Sequence, residues 1–202
     1  INLSFRLYEG LPAQIHKVHI HGNTKTKDKV IRREIRLFPG DTYRQSALER
    51  SFREIMQLNY FDMVLPDIKV VNEQEVDLDF TVTEKEAGTG QFSVGVAYRE
   101  SDGLTGTASV SIPNCCMGDG QSAAVSFEYG ADKKYASISF SEPYFLDMPV
   151  SVGASLSYGW WNQDDDPDIT RYGGSVYVGK RLKWPDDYFY GQVGYSWLMN
   201  KQ

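Results

Sequence analysis

The chain reads as an α+β module in the order strand-helix-helix-strand-strand, followed by an incomplete antiparallel transmembrane β-barrel of about seven strands. Three observations carry this reading. Helical periodicity is confined to the stretch before Tyr60. From Gln91 onward, short runs alternate large apolar residues with small or polar ones, up to the last residues of the chain. Eighteen Gly accompany thirteen Tyr, ten Phe and four Trp, a pairing that suits strands joined by tight turns. The net charge of −6, with 24% charged residues, argues against a nucleic-acid partner, which calls for a basic face. No basic and apolar leader opens the chain, so no signal peptide is expected. No apolar run approaches the roughly 18 residues of a membrane helix, although barrel strands need none.

Taken in order, residues 1–10 (INLSFRLYEG) alternate like the last strand of a preceding unit, as in a fragment of a longer chain. Gln14 to His21 is a strand with Val18 and Ile20 inward and His19 and His21 outward, ended by Gly22-Asn23. His16 is expected on the opposite side from His19 and His21, which leaves the three histidines solvated and argues against a metal. Lys27 to Phe38 is expected to be helical, capped by Thr26 and stopped by Pro39-Gly40. A second helix covers about Gln45 to Asn59, with Leu48, Phe52, Ile55 and Met56 on one stripe. Two strands follow, Met63 to Val71, broken by Pro66, and Val76 to Thr83, in which Val76, Leu78, Phe80 and Val82 alternate. One sheet covered by two helices is the minimal core for this length. Residues 11–87 make this module, 88–202 the barrel portion, and Glu84 to Gly90 a short hinge between them.

In the second half, Phe92, Val94, Val96 and Tyr98 share one face opposite Ser93, Gly95 and Ala97. The same scheme returns at Ala108–Ile112, Ala123–Tyr129, Ala136–Phe140 and Val150–Tyr158, more weakly at Val176–Val178, and finally at Phe189–Trp197. An apolar face opposite a small or polar one fits lipid outside and lumen inside. Loops Glu100–Gly103, Ala131–Lys134 and Trp160–Thr170 then fall on one side of the membrane. Loops Pro113–Gly120, Glu142–Pro149 and Lys183–Asp187 fall on the periplasmic side. The acidic run Asp164–Asp168 lacks the spacing of a calcium loop and reads as solvated surface. Adjacent Cys115 and Cys116 read as small apolar residues at a turn, without CxxC or Cys/His spacing. No GxSxG, HExxH or phosphate-binding loop occurs, so neither an enzyme nor a cofactor is expected.

The stretch GNTKTKDKVIRREIRLFPGDTYRQSALERSFREIMQLNYFDMV resembles a POTRA domain, through GN before the first helix, RRE, PGDxY and the Tyr60-Phe61 pair. Arg44 departs from the small capping residue often found after that tyrosine. TGQFSVGVAYRESDGLTG and SEPYFLDMPVSVGASLSY resemble strands and turns of a BamA-like outer-membrane barrel, and NCCMGDGQ is similar to a turn of that family. The resemblance implies a component of the outer-membrane assembly machinery, with its POTRA domain in the periplasm. Its implied partners are nascent outer-membrane proteins, accessory lipoproteins and the lipid bilayer. Its implied activity is folding and insertion of barrels by pairing client strands with the first barrel strand, Gln91, Phe92, Ser93, Val94, Gly95, Val96, Ala97 and Tyr98. Arg33 and Glu34 of the RRE sequence are the implied docking residues for an accessory lipoprotein. The alternatives are a two-partner-secretion pore of the same superfamily and a soluble β-rich binding module.

Overall fold

The computed structural model describes residues 11–85, 90–100, 103–116, 118–163, 166–182, 184 and 188–201. The strand expected over 1–10, most of the Glu84–Gly90 hinge, Asp164-Asp165 and most of Lys183–Asp187 lie outside the described residues. The chain divides into two compact units, with the break between Gly88 and Thr89.

The first unit contains β1 (Gln14–His21), α1 (Asp28–Arg32), α2 (Gln45–Gln57), β2 (Phe61–Asn72) and β3 (Glu75–Glu84). β3 lies in the middle of a three-stranded sheet, parallel to β1 and antiparallel to β2. Its alternating Val76, Leu78, Phe80 and Val82 pack with Ile15, Val18, Val30, Ile31, Leu48, Ile55 and Phe61 in one core. Burial of such side chains supplies most of the stabilisation of a domain this small.

Four expectations change here, each for a physical reason. The helix expected over Lys27–Phe38 is only five residues long. Past it, Ile35 and Leu37 are both buried, and this two-residue spacing belongs to an extended segment rather than a helix. The Arg36 N–H donates to Ser51 Oγ (2.8 Å), and the Ser51 hydroxyl donates to the Ala47 carbonyl (2.8 Å). Ser51 is fully buried, so Ser51→Ala is expected to cost about 1–3 kcal/mol, read as a lower urea midpoint.

The other three concern caps and edges. Thr26 does not cap α1, whose N-cap is Lys27; its own N–H is held by Glu84. Pro66 does not interrupt β2, because β2 is an edge strand, where a missing N–H is tolerated. A register shift between Ile15 and Lys17 brings His16 round to the side of His19. Both rings then face Asp77, His16 Nδ1 at 3.0 Å and His19 Nε2 at 4.0 Å. α2 starts at Arg44 without a side-chain cap, and Met56 sits at the rim of the buried stripe.

The second unit is one antiparallel sheet of β4 (Gln91–Arg99), β5 (Gly103–Cys115), β6 (Gln121–Gly130), β7 (Lys133–Glu142), β8 (Val150–Gln163), β9 (Asp166–Arg181) and β10 (Tyr190–Lys201). Every strand pairs with its sequence neighbour, and among the described residues the sheet does not close on itself. Cross-strand register lines up Phe92, Val110, Val125, Ile138, Leu156, Gly174 and Trp197 in one row over all seven strands. The other face carries Ser93, Ser109, Ser126, Ser137 and Ser157 in register. Hydroxyl pairs Ser93–Ser109 (2.7 Å), Ser126–Ser137 (2.7 Å) and Ser155–Ser175 (2.8 Å) bond across that face. An apolar outer face and a small polar inner one are what a bilayer-spanning barrel wall requires.

Trp160–Thr170, expected as a loop, is largely strand on both arms, reaching Gln163 in β8 and starting at Asp166 in β9. Rim packing extends the ladder: Arg171 lies over the Trp161 ring at 4.8 Å and Lys134 over Trp160 at 4.6 Å. The weak alternation at Tyr177 also has a structural reason. A Cβ on Gly153 would lie 2.3 Å from the Tyr177 ring, so that glycine makes the space the ring occupies on the neighbouring strand.

Candidate functional site

β4 is the first strand after the break between the units, and it lies at one edge of the seven-stranded sheet. Its ladder with β5 runs without a register break from Gln91↔Ser111 to Arg99↔Gly103. Gln91 to Tyr98 carry no charged side chain, and Phe92, Val94, Val96 and Tyr98 are each about two-thirds exposed or more. Gly95 is approached closely by a side chain of β5. The Thr107 hydroxyl donates to the Gly95 carbonyl (3.4 Å), and a Cβ at this position would meet Thr107 Oγ1 at 2.9 Å. Among the described residues, β4 pairs on one side only, leaving a row of backbone donors and acceptors along the other.

Arg33 and Glu34 lie immediately beyond α1 rather than on its exposed face. Glu34 is 7% exposed, and Arg33 Nε stands 3.6 Å from Glu34 Oε1. The two residues are therefore together, but as a largely buried ion pair. The residues expected at β4 and at this pair sit in different units.

A third feature was not legible in the sequence. Glu84, at the end of β3, accepts hydrogen bonds from the N–H groups of Thr24 (3.1 Å), Lys25 (2.8 Å) and Thr26 (2.6 Å). It also accepts one from the Thr24 hydroxyl (2.6 Å). Partial burial works to raise the pKa of this carboxyl, but the hydrogen bonds to Thr24, Lys25 and Thr26 outweigh it and bring the pKa down to about 2. The donors lie 58 to 60 residues away along the chain, so no local spacing announces the contact.

Comparison with known proteins finds relatives for both units. Residues 13–85 match POTRA, described as a surface antigen variable number repeat, and residues 116–201 match the Omp85 superfamily domain. The outer membrane protein assembly factor BamA of Neisseria meningitidis is 32% identical over 169 residues, which are 83% of this chain and 20% of that protein. BamA of Neorickettsia risticii is 30% identical over 158 residues, 78% of this chain and 21% of that protein. BamA from Haemophilus ducreyi lacking POTRA domains 1–3 shares the fold with a TM-score of 0.74 at 24% identity, covering 94% of this chain and 36% of that one. CdiB from Escherichia coli shares it with a TM-score of 0.62 at 13% identity, covering 95% of this chain and 38% of that one. The chain spans about a fifth of the length of these curated relatives.

A POTRA domain followed by the antiparallel strands of an outer-membrane barrel defines a class, and the chain belongs to the Omp85 superfamily. Within it the chain is BamA-like, a stretch of POTRA domain and barrel strands.

Proposed function

We propose that this chain is the part of an outer-membrane assembly factor that receives client strands, with residues 11–87 in the periplasm and 88–202 in the barrel wall. The observation that carries this reading is the unbroken β4 ladder, uncharged from Gln91 to Tyr98 and, among the described residues, open along one edge. A client strand cannot enter lipid with unpaired N–H and C=O groups, since each costs several kcal/mol there. Pairing with Gln91 to Tyr98 satisfies those groups through β-augmentation, and the exposed apolar row offers the matching lipid-side face. No covalent bond is made or broken, so the mechanism asks for no catalytic residue, metal or cofactor. Gly95 has a positioning role: its lack of a Cβ lets Thr107 reach across the strand and leaves the backbone free to twist as the client joins.

The test is a disulfide trap in the full-length protein during assembly. Cysteine at Val94 or Val96 is expected to cross-link a cysteine in the client's terminal strand. Consistent failure with expressed, folded protein would overturn first-strand pairing. The secretion-pore reading shares this fold through CdiB, but the two relatives described above, at 32% and 30% identity, carry the assembly-factor name.

An accessory outer-membrane lipoprotein is the further partner we propose, docked at Arg33–Glu34. Because this pair is largely buried, docking there would exchange the Arg33 contact for one from the partner. Glu34→Arg is expected to abolish co-purification of that partner, and a reciprocal charge change in the partner is expected to restore it. Undiminished co-purification with the reversed charge would sink the assignment.

A further inference from the structure

The turn from β5 to β6 brings two sulfur atoms together for which the strand-pairing function has no use. Cys115 Sγ and Cys116 Sγ lie 2.8 Å apart. Both are free thiols, Cys115 half-buried and Cys116 exposed. The backbone around them is bent into an uncommon form. Asn114 (φ 56°) and Cys116 (φ 74°) are both left-handed, and Gly118 (φ 70°) and Gly120 (φ 89°) continue the pattern. The Asn114 side chain locks the turn by accepting the Gly120 N–H at 2.9 Å. The β5–β6 register also slips between Pro113 and Cys115, where the pair begins. Two residues that would ordinarily point to opposite sides of a strand therefore turn their sulfurs toward one another.

We propose that Cys115 and Cys116 form a redox-active vicinal dithiol, a site that reacts with disulfide oxidants and closes into a disulfide across the peptide bond joining the two residues. The exposed Cys116 thiolate attacks one sulfur of the oxidant, forming a mixed disulfide and expelling the first thiolate. Cys115, having lost its proton, then attacks Cys116 Sγ and displaces the second thiolate. The two cysteines lose two electrons and two protons in all, and the oxidant leaves as two thiols. Adjacent Cα atoms stand about 3.8 Å apart across a trans peptide. Structural bridges usually span ~4.4–6.8 Å, so the product is a strained, readily reduced bond. That chemistry suits a reversible modification at the turn rather than a structural staple. An outer-membrane location keeps the turn away from the reducing cytosol.

The test uses the full-length protein in detergent, with oxidised glutathione as the oxidant. Expected in the wild type is loss of both maleimide-reactive thiols on this turn, and a turn peptide lighter by two hydrogens. Glutathione should remain on neither cysteine, and mild dithiothreitol should restore both thiols. Cys115→Ser should stop at a glutathione adduct on Cys116. Release of glutathione from Cys116 should be at least about tenfold faster when Cys115 is present, from proximity alone. A wild type that halts at the same adduct, links chain to chain, or leaves both thiols unreacted would overturn the proposal.

Discussion

Proline introduced singly at Ser93, Val94 and Val96 is expected to abolish client assembly, with consequences for folding that alternate along the strand. Successive N–H groups of a strand point to opposite edges. At positions whose N–H faces β5, proline removes a ladder bond, and the first hairpin of the sheet should pair poorly. At the alternate positions the β4–β5 ladder survives, because proline on an open edge removes only an outward donor. Those variants should retain the heat-modifiable gel mobility of a folded barrel and still fail to assemble clients in proteoliposomes. Loss of assembly by a tenfold factor or more at the folded positions is the expected result, a barrier change of about 1.4 kcal/mol. Assembly at wild-type rates with proline at every folded position would remove β4 from the mechanism.

Glu84→Gln is expected to be the most damaging single change in the POTRA unit outside its apolar core. One carboxylate holds three backbone N–H groups and a hydroxyl, and an amide oxygen cannot replace both of its oxygens. The sign of the pH dependence follows from the pKa lowered to about 2, against an ordinary 4.5. A carboxyl lowered in the folded state stabilises fully above its unfolded value. The stabilisation is therefore present above about pH 4.5 and drains away as the pH falls toward 2. With partial solvent screening it amounts to about 2–3 kcal/mol. Hydrogen exchange at Thr24 to Thr26 reads the loss directly. The wild type should deprotect as the pH drops through that window, whereas the Gln variant should be unprotected at neutral pH and show a flat profile.

Both effects depend on how parts of the chain meet, which marks what the sequence could and could not disclose. The alternation of Val76, Leu78, Phe80 and Val82 announced β3 because one buried face enforces a period of two. The seven barrel strands were legible for the same reason, since lipid on one face and small polar rows on the other leave a repeating signature. Helix α1 misled because Val30, Ile31 and Ile35 share helical spacing, whereas burial of Leu37 together with Ile35 demanded an extended chain. His16 moved because one extra residue in β1 reverses the side to which a residue points. Gln91 to Tyr98 was legible as a strand by its pattern and as an edge by its place, because it opens a sheet whose strands pair in sequence order. Glu34 was visible as part of RRE, yet its burial depends on the abbreviated helix before it.

The parallel pairing of β1 with β3 carries a consequence for how the POTRA unit comes into being. β1 opens the sheet, yet its only partner strand among the described residues is the last of the unit. Contacts so distant along the chain pay their loop-closure entropy before they return any stabilisation, which slows folding. A chain emerging from its N-terminus can form α2, and even the β2–β3 hairpin can begin, before β1 has a place to dock. Glu84 is the final residue of that late strand, and its carboxylate gathers the loop that follows β1. The POTRA unit is thus completed only as the chain reaches its junction with the barrel, making its assembly a timed event immediately upstream of β4.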